Sequence, residues 1–309
     1  MEAIKQKNTE MTKKLPTVRI SGLNNFDVNK IFDCGQCFRF DKVENSKHSV
    51  EFSGIAFGKF VSFAQDGTDV YIYNSTQEEF DSVWRHYLSL DVDYSSIDRD
   101  ILSRSSNPEL ARAVTFGNGI RILSQDMWET VCSFIISQNN NIPRIKKIIE
   151  SLSLKCGSKI EIPEEANNHL SDCSSLCTFP TPEAIVDLGI DGLYELKTGF
   201  RAKYIYDAAQ KVLNGELDFN TIINSNTKQA VEHLCKVKGI GPKVALCALL
   251  FGFGKYDAFP IDVWIKKVIA KYFTETTPEK FDATVLGPYA GIAQQYLFYY
   301  ERYGGYKEY

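Results

Sequence analysis

The chain reads as an α+β protein, with a twisted antiparallel sheet first and an all-helical body after it. Three observations predict this. Between Val18 and about Asn74 apolar and polar residues mostly alternate with period two, as half-buried strands do. After Tyr94 that alternation vanishes, and helical periodicity runs to the end of the chain. Within the helical half, Gly239-Ile240-Gly241-Pro242 forms a tight turn between two such stretches. Its glycines allow positive φ and a close backbone approach, and Pro242 suits a first helical turn.

Taken in order, residues 1–15 are expected to be a disordered tail, since they are polar and cationic without an apolar centre. Residues 16–115 form the sheet domain with flanking helices. Its strands are read as Phe38-Arg39-Phe40, Val50–Phe57, Phe60–Phe63 and Asp69–Tyr73, with Gln65-Asp66-Gly67 as a hairpin turn. An antiparallel meander of four or five strands is expected. Thr76 then opens a helix through Leu88 with a Thr-Gln-Glu-Glu capping box.

Residues 116–309 form the helical region, with the hairpin at about 227–254. Between Tyr94 and the C-terminus the candidate helices are Asp98–Ser103, Pro108–Phe116, Trp128–Gln138, Asn141–Leu154, Thr181–Leu188 and Leu193–Thr198. Phe200–Leu213, Thr227–Lys236, Pro242–Phe253, Asp262–Tyr272 and Tyr289–Tyr303 follow. Ser158–Phe179 is polar and rich in Asn and Ser, and reads as an irregular surface insertion. The helical body is expected in two lobes around a cleft.

Composition sets bounds. The 44% hydrophobic and 24% charged residues belong to an ordinary globular protein. No apolar run approaches the roughly 18 residues of a membrane span, and the N-terminus lacks a secretory core. The net charge of −4 does not advertise nucleic acid, although a groove can be basic on an acidic protein. Cys34 and Cys37 make a C-x-x-C whose flanks alternate like a strand, and Cys173 and Cys177 a C-x-x-x-C. Mostly free thiols in a reducing compartment account for the 8 cysteines better than a zinc site or a thiol oxidoreductase. No cysteine follows Cys247, so no C-terminal iron–sulfur cluster is expected.

The chemistry concentrates between Leu234 and Trp264. Uncapped amides at the start of the helix after the turn suit a phosphate, Lys243 stands in its first turn, and Asp262 follows Pro260-Ile261. Taken alone, this is a helical hairpin with a surface lysine. The conjunction of Val237-Lys238-Gly239-Ile240-Gly241-Pro242-Lys243 with Pro260-Ile261-Asp262 resembles the helix-hairpin-helix DNA glycosylases (HhH-GPD). The lysine is similar to that of the bifunctional members, which use it as nucleophile. A neutral amine there would attack the sugar's anomeric carbon, displace the base and form a Schiff base open to β-elimination. Asp262 would stabilise the oxocarbenium charge and cap its own helix.

Further segments resemble the 8-oxoguanine DNA glycosylase/AP lyase branch, from about Gly35 to Phe298. By that resemblance Asn139 of Asn139-Asn140-Asn141 fills the hole left by the flipped base, and Arg144 bonds the orphaned cytosine. Phe200 wedges into the stack and Arg201 joins the cytosine contacts. Gly35 offers its carbonyl to the N7–H that 8-oxoguanine has and guanine lacks. Cys247, one turn from Lys243, pairs as thiolate with the ammonium, and the base stacks on it. Gln294 reads the Watson–Crick edge, Phe298 stacks, and Phe251 completes the base site. Without the resemblance, Cys247 and Phe298 read equally well as ordinary core residues, and a core role is the lesser alternative for Phe200.

Gly239, Gly241, Lys238 and Val244 are the expected phosphate contacts of the hairpin. Trp264 stands where eukaryotic relatives have a phosphate-touching histidine, keeping one N–H but losing the charge. The carbonyls of Cys235, Val237 and Ile240 match positions that hold a structural monovalent or calcium cation in the superfamily, and no cofactor is required. The implied partner is double-stranded DNA containing 8-oxoguanine, bound by a monomer away from membranes. The implied location is the cytoplasm and nucleoid of a prokaryote, or the nucleus of a eukaryote, without secretion. The rival readings are a glycosylase for another oxidised or alkylated base and a non-catalytic DNA-binding module.

Overall fold

A computed structural model of the chain describes residues 15–171 and 176–304. All but the last residue of the expected tail, and Cys173, lie outside the described residues. The sheet has five strands: β1 Thr17–Ile20, β2 Phe40–Lys42, β3 Val50–Ala56, β4 Lys59–Asp66 and β5 Asp69–Tyr73. They lie in the order β1-β5-β4-β3-β2, every pair antiparallel. Thus β2 to β5 is a meander, and β1 closes its far edge through pairs such as Val18↔Ile72.

Two readings of this region need correction. Gln65 and Asp66 belong to β4, paired with Val70 and Asp69, so the turn is Gly67-Thr68. Buried Gln65 stays in the strand because its amide is saturated: Oε1 accepts from the Val28 amide at 2.8 Å, and Nε2 donates to the Phe26 and Gly67 carbonyls. Only Phe40 of Phe38-Arg39-Phe40 is strand. Upstream of it lies a short helix, α1 Val28–Asp33, N-capped by Asp27 and burying Val28, Ile31 and Phe32 at helical spacing. Cys34 and Cys37 therefore sit in the loop after a helix rather than along a strand; both are buried and free.

One sheet face packs on α1 and on the helical stretch opened by the expected capping box between Thr76 and Glu79. That stretch runs as α2 Gln77–Glu79, a π-turn Phe80–Trp84 and α3 Arg85–Tyr87. Phe32, Phe63, Trp84 and Tyr87 form its aromatic core.

The other face is covered by the described part of the 158–179 segment, which is largely irregular as expected but carries a 3-10 turn at Glu164–His169 and is not merely superficial. Ala166 is fully buried against Phe60, Ala64 and Tyr73. His169 stacks on Tyr73 at 3.9 Å between centroids and contacts the Glu51 carboxylate through Nδ1 at 2.6 Å. With both faces covered, β4 is buried almost throughout and cannot alternate cleanly between apolar and polar. Burial raises the Glu51 carboxyl, but hydrogen bonds from His169, Ser46 and Ser62 outweigh it and hold the group below its ordinary 4.5. A depressed folded value stabilises the protein above the unfolded value and is lost as pH falls through the folded one. The loss therefore lies on the acid side of about 4.5. His169→Ala should cost about 1–3 kcal/mol in urea titration at pH 7, with a flatter acid limb than wild type. An unchanged midpoint would show that the segment does not hold the sheet.

The helical body comprises α4 Tyr94–Arg104, α5 Pro108–Gly117, α6 Met127–Ser137, α7 Ile142–Cys156, α8 Pro182–Glu195 and α9 Ala202–Leu213. It continues with α10 Phe219–Asn224, α11 Thr227–Leu234, α12 Pro242–Gly252, α13 Val263–Tyr272 and α14 Ala290–Tyr299. Most match the expected helices within a turn. Helix α8 merges two of them across a kink at Gly189, which has φ 72°. The short α10 was not foreseen. Asn141 and Asp262 are N-caps rather than first helical residues, each accepting a backbone N–H three residues on. One continuous buried cluster runs through the whole body, with α14 at its centre. Every residue of α14 except Phe298 is buried.

Candidate active site

The hairpin is built from both sides. A capping box between Asn226 and Gln229 starts α11. After it the turn closes through Val237 N–H to Leu234 O and Ile240 N–H to Val237 O, both 3.0 Å. Gly239 has φ 83°, and a Cβ there would lie 2.2 Å from the Tyr204 ring of α9. The Lys238 amide donates to Asp207, also on α9, at 2.7 Å. Tyr204 and Asp207 thus anchor the turn; nothing in the local sequence marked them, because the contact spans three helices. Gly241 is the N-cap of α12, offers no side-chain cap and has open space where a Cβ would stand. The first amides of α12, Val244's among them, are left for a ligand. Gly239→Ala combines a forbidden φ with a ring clash, and should weaken duplex binding about tenfold or more in a fluorescence titration. Retention of wild-type affinity would place the duplex elsewhere.

Beside the hairpin opens a cavity of about 380 Å³. Lys243, half-buried in the first turn of α12, lines it with Cys247 and Phe251 at successive turns of the same face. Across from them stand Asp262, whose Oδ1 accepts the Ile265 amide at 2.8 Å, and Pro260 and Trp264. Gln294 and Phe298 enter from α14, and Gly35 from the loop after α1. Every expected catalytic and base-site residue therefore faces one cavity, from four separate parts of the chain.

The Gly35 loop is held by residues the sequence did not single out. Gln36, 1% exposed, donates to the Ile31 and Arg121 carbonyls and accepts the Leu123 amide. Gln295 donates to the Cys34 carbonyl at 2.8 Å. Gly35 has φ 81°, and a Cβ there would point at Ile142, Phe298 and Arg302. Gln294 is 4% exposed, and its Oε1 has no hydrogen-bond partner among the described residues. A buried acceptor left open costs free energy unless a ligand satisfies it.

Cys247 differs from expectation. Burial pushes its thiol up to about 11, although Lys243 pulls the other way by charge and hydrogen bonding. Burial therefore favours the thiol over the expected thiolate, leaving a polarisable neutral group beside Lys243.

The second cluster surrounds the turn between α6 and α7. Asn140 donates to the Ile136 carbonyl and Asn141 caps α7 through the Arg144 amide. Exposed Asn139, at φ 48°, is the one of the three whose carboxamide has no partner among the described residues. Arg201 is 2% exposed. Its Nε and Nη2 donate to the Gln138 carbonyl, Nη2 also to Asn139 O and Nη1 to Thr198 O. Four of the five guanidinium N–H groups are thereby used, which corrects the expectation that Arg201 presents its fork to a base. It is the strut of the asparagine turn. Arg144 is exposed, and so is Phe200 at 47%, lying under the Arg201 guanidinium at 4.5 Å.

At the mouth, Trp264 is 36% exposed with Lys267 Nζ 4.6 Å from its ring centroid, so a cation stands at this position after all. The Cys235, Val237 and Ile240 carbonyls lie in the hairpin turn, with that of Val237 accepting the Ile240 amide. Among the described residues, no cluster of three His, Cys, Asp or Glu side chains is placed to hold a metal.

A lysine and a carboxylate at one cavity, beside a helical hairpin whose second helix starts without a side-chain cap, are the arrangement of a helix-hairpin-helix DNA glycosylase equipped for lyase chemistry. The 8-oxoguanine DNA glycosylase N-terminal domain family matches residues 19–131. The HhH-GPD superfamily of base excision DNA repair proteins matches residues 132–286. The chain belongs to the 8-oxoguanine glycosylase/lyase family of this superfamily. It is similar to the Clostridium acetobutylicum 8-oxoguanine glycosylase/lyase solved with DNA containing cytosine opposite 8-oxoG. That match has 40% identity and TM-score 0.82, over 93% of this chain and 95% of that one. An N-glycosylase/DNA lyase of Saccharomyces cerevisiae is 35% identical over 48% of this chain and 41% of its own length. One of Arabidopsis thaliana is 26% identical over 86% of this chain and 75% of its own.

Proposed function

We propose that the protein excises 8-oxoguanine from duplex DNA, preferring cytosine opposite, and nicks the strand by β-elimination. The observation carrying this reading is the convergence of Lys243, Asp262, Cys247, Gln294, Phe298 and Gly35 on one cavity. The nucleotide must leave the stack, since C1′ is out of reach within it. The neutral Lys243 amine attacks C1′, and the C1′–N9 pair departs with the base, which takes up a proton. Asp262 stabilises the positive sugar as that bond breaks. Ring opening gives a Schiff base between Lys243 and C1′, loss of the C2′ proton expels the 3′ phosphate, and hydrolysis frees the lysine.

The orphan Gln294 Oε1 suits the N1–H and amino donors of a guanine-type edge, and the Gly35 carbonyl suits N7–H. A mismatch at N7 costs guanine about 1–3 kcal/mol. Exposed Arg144 donates to the cytosine O2 and N3 acceptors, Arg201 holds the turn that aims Asn139, and Phe200 takes the vacated side of the stack. Lys238, Lys203 and the α12 amides take phosphates, making affinity salt-sensitive. The mechanism calls on no cofactor, and the protein acts as a monomer.

The test is release of free base from duplexes carrying 8-oxoguanine opposite each of the four bases. Release fastest opposite cytosine is expected. In Arg144→Ala the cytosine preference should shrink by about tenfold, since one charged hydrogen-bond donor is lost. Release of other modified bases only, or of none, would overturn the assignment.

A further inference from the structure

Beyond Phe298 the C-terminal helix closes as a π-turn, Tyr300–Gly304, a wide turn of the kind that accompanies functional sites. Arg302 on this turn lines the base cavity together with Phe298 and Gln294, four and eight residues before it. Gln294 lies deep and Arg302 nearer the rim. The Arg302 Nη1 stands 3.9 Å from where a Cβ would sit on Gly35, on the side also bounded by Phe298. Unlike Arg201, it donates to no acceptor and meets no carboxylate within 4.0 Å among the described residues; it lies over the Tyr303 ring at 5.0 Å. Asp33, close by, is taken by the Tyr303 hydroxyl at 2.9 Å. A half-buried guanidinium with its donors open, facing the cavity beside Gly35, is a group awaiting a ligand.

We infer that Arg302 is a specificity contact to the flipped base, donating to a carbonyl oxygen of the Hoogsteen edge next to the N7–H opposite Gly35. The inference rests on the 8-oxoguanine reading above and deepens it. That edge of 8-oxoguanine presents O6, N7–H and O8, an acceptor–donor–acceptor series. Gly35 supplies the acceptor for the middle group, and Arg302 the donor for a flanking one. Gln294 meets the opposite edge. Adenine carries an amino group in place of O6, and guanine has neither O8 nor N7–H, so neither base matches both groups at once.

The test separates base from backbone. Wild type, Arg302→Met and Arg302→Lys are compared in single-turnover excision of 8-oxoguanine and in cleavage of a preformed abasic site, which has the same phosphates and no base. Arg302→Met should excise the base about ten- to a hundredfold more slowly, the worth of a charged hydrogen bond, while abasic-site cleavage stays within about twofold. Arg302→Lys, which keeps a donor, should recover part of the loss. Equal losses on both substrates would overturn the inference and make Arg302 a phosphate contact. So would an undiminished excision rate in Arg302→Met. A wild-type protein that cleaves abasic DNA but releases no 8-oxoguanine would instead refute the substrate reading on which the inference rests.

Discussion

Lys243→Gln should abolish the covalent adduct that borohydride traps between the protein and 8-oxoguanine DNA, and lower excision by about four orders of magnitude or more. The expectation follows from placement. Lys243 is the amine at the mouth of the cavity, on the first turn of α12, one turn from Cys247. Of the neighbouring lysines, Lys236 meets His233, Lys238 belongs to the hairpin turn, Lys255 donates to the Ile223 and Ser225 carbonyls and Lys267 lies against the Trp264 ring; none of these lines the cavity. Glutamine keeps the length and much of the polarity of the side chain but cannot form a Schiff base. The fold should survive, because Lys243 is half-buried in the first turn of α12 and has no ion pair among the described residues. Duplex affinity therefore stays close to wild type while the adduct disappears. An adduct of undiminished yield would mean that another amine attacks.

Asp262→Asn should slow excision by about a hundred- to a thousandfold at unchanged thermal stability. The aspartate does two jobs that this change separates. As N-cap of α13 its Oδ1 accepts the Ile265 amide at 2.8 Å, and asparagine is an equally good cap. In the proposed reaction its carboxylate would face the sugar as positive charge develops, and a neutral amide offers only a dipole. A parallel loss of melting temperature and rate would point to a purely structural aspartate. Abasic-site cleavage, which needs no oxocarbenium, should fall much less.

Much of this site was legible because its chemistry is local in sequence. The hairpin, Lys243, Cys247 at i+4 and the Pro-Ile-Asp run all fall within one stretch. The sheet followed from alternation, although β4 obscured it by burying both faces. What stayed hidden was held by long-range contacts. Gln36 and Gln295 fix the Gly35 loop from opposite ends of the chain, and no short window contains both. Tyr204 and Asp207 brace the hairpin from another helix. Helix α1 was missed because its six residues are too few for a helical period to stand out from the alternation around them. Arg201 was read for its charge, whereas its burial and its four donated bonds give it a scaffolding role in this structure.

The elevated Cys247 thiol has a further consequence, in the language of redox chemistry. Burial pushes it up to about 11, so the thiol is the favoured form at neutral pH. Burial drives the other pocket-wall cysteine, Cys34, higher still, to about 12. Thiolates are the nucleophiles that attack peroxides and disulfides, so a wall whose sulfurs stay protonated, on which an oxidised purine would rest, is itself a poor target for oxidation.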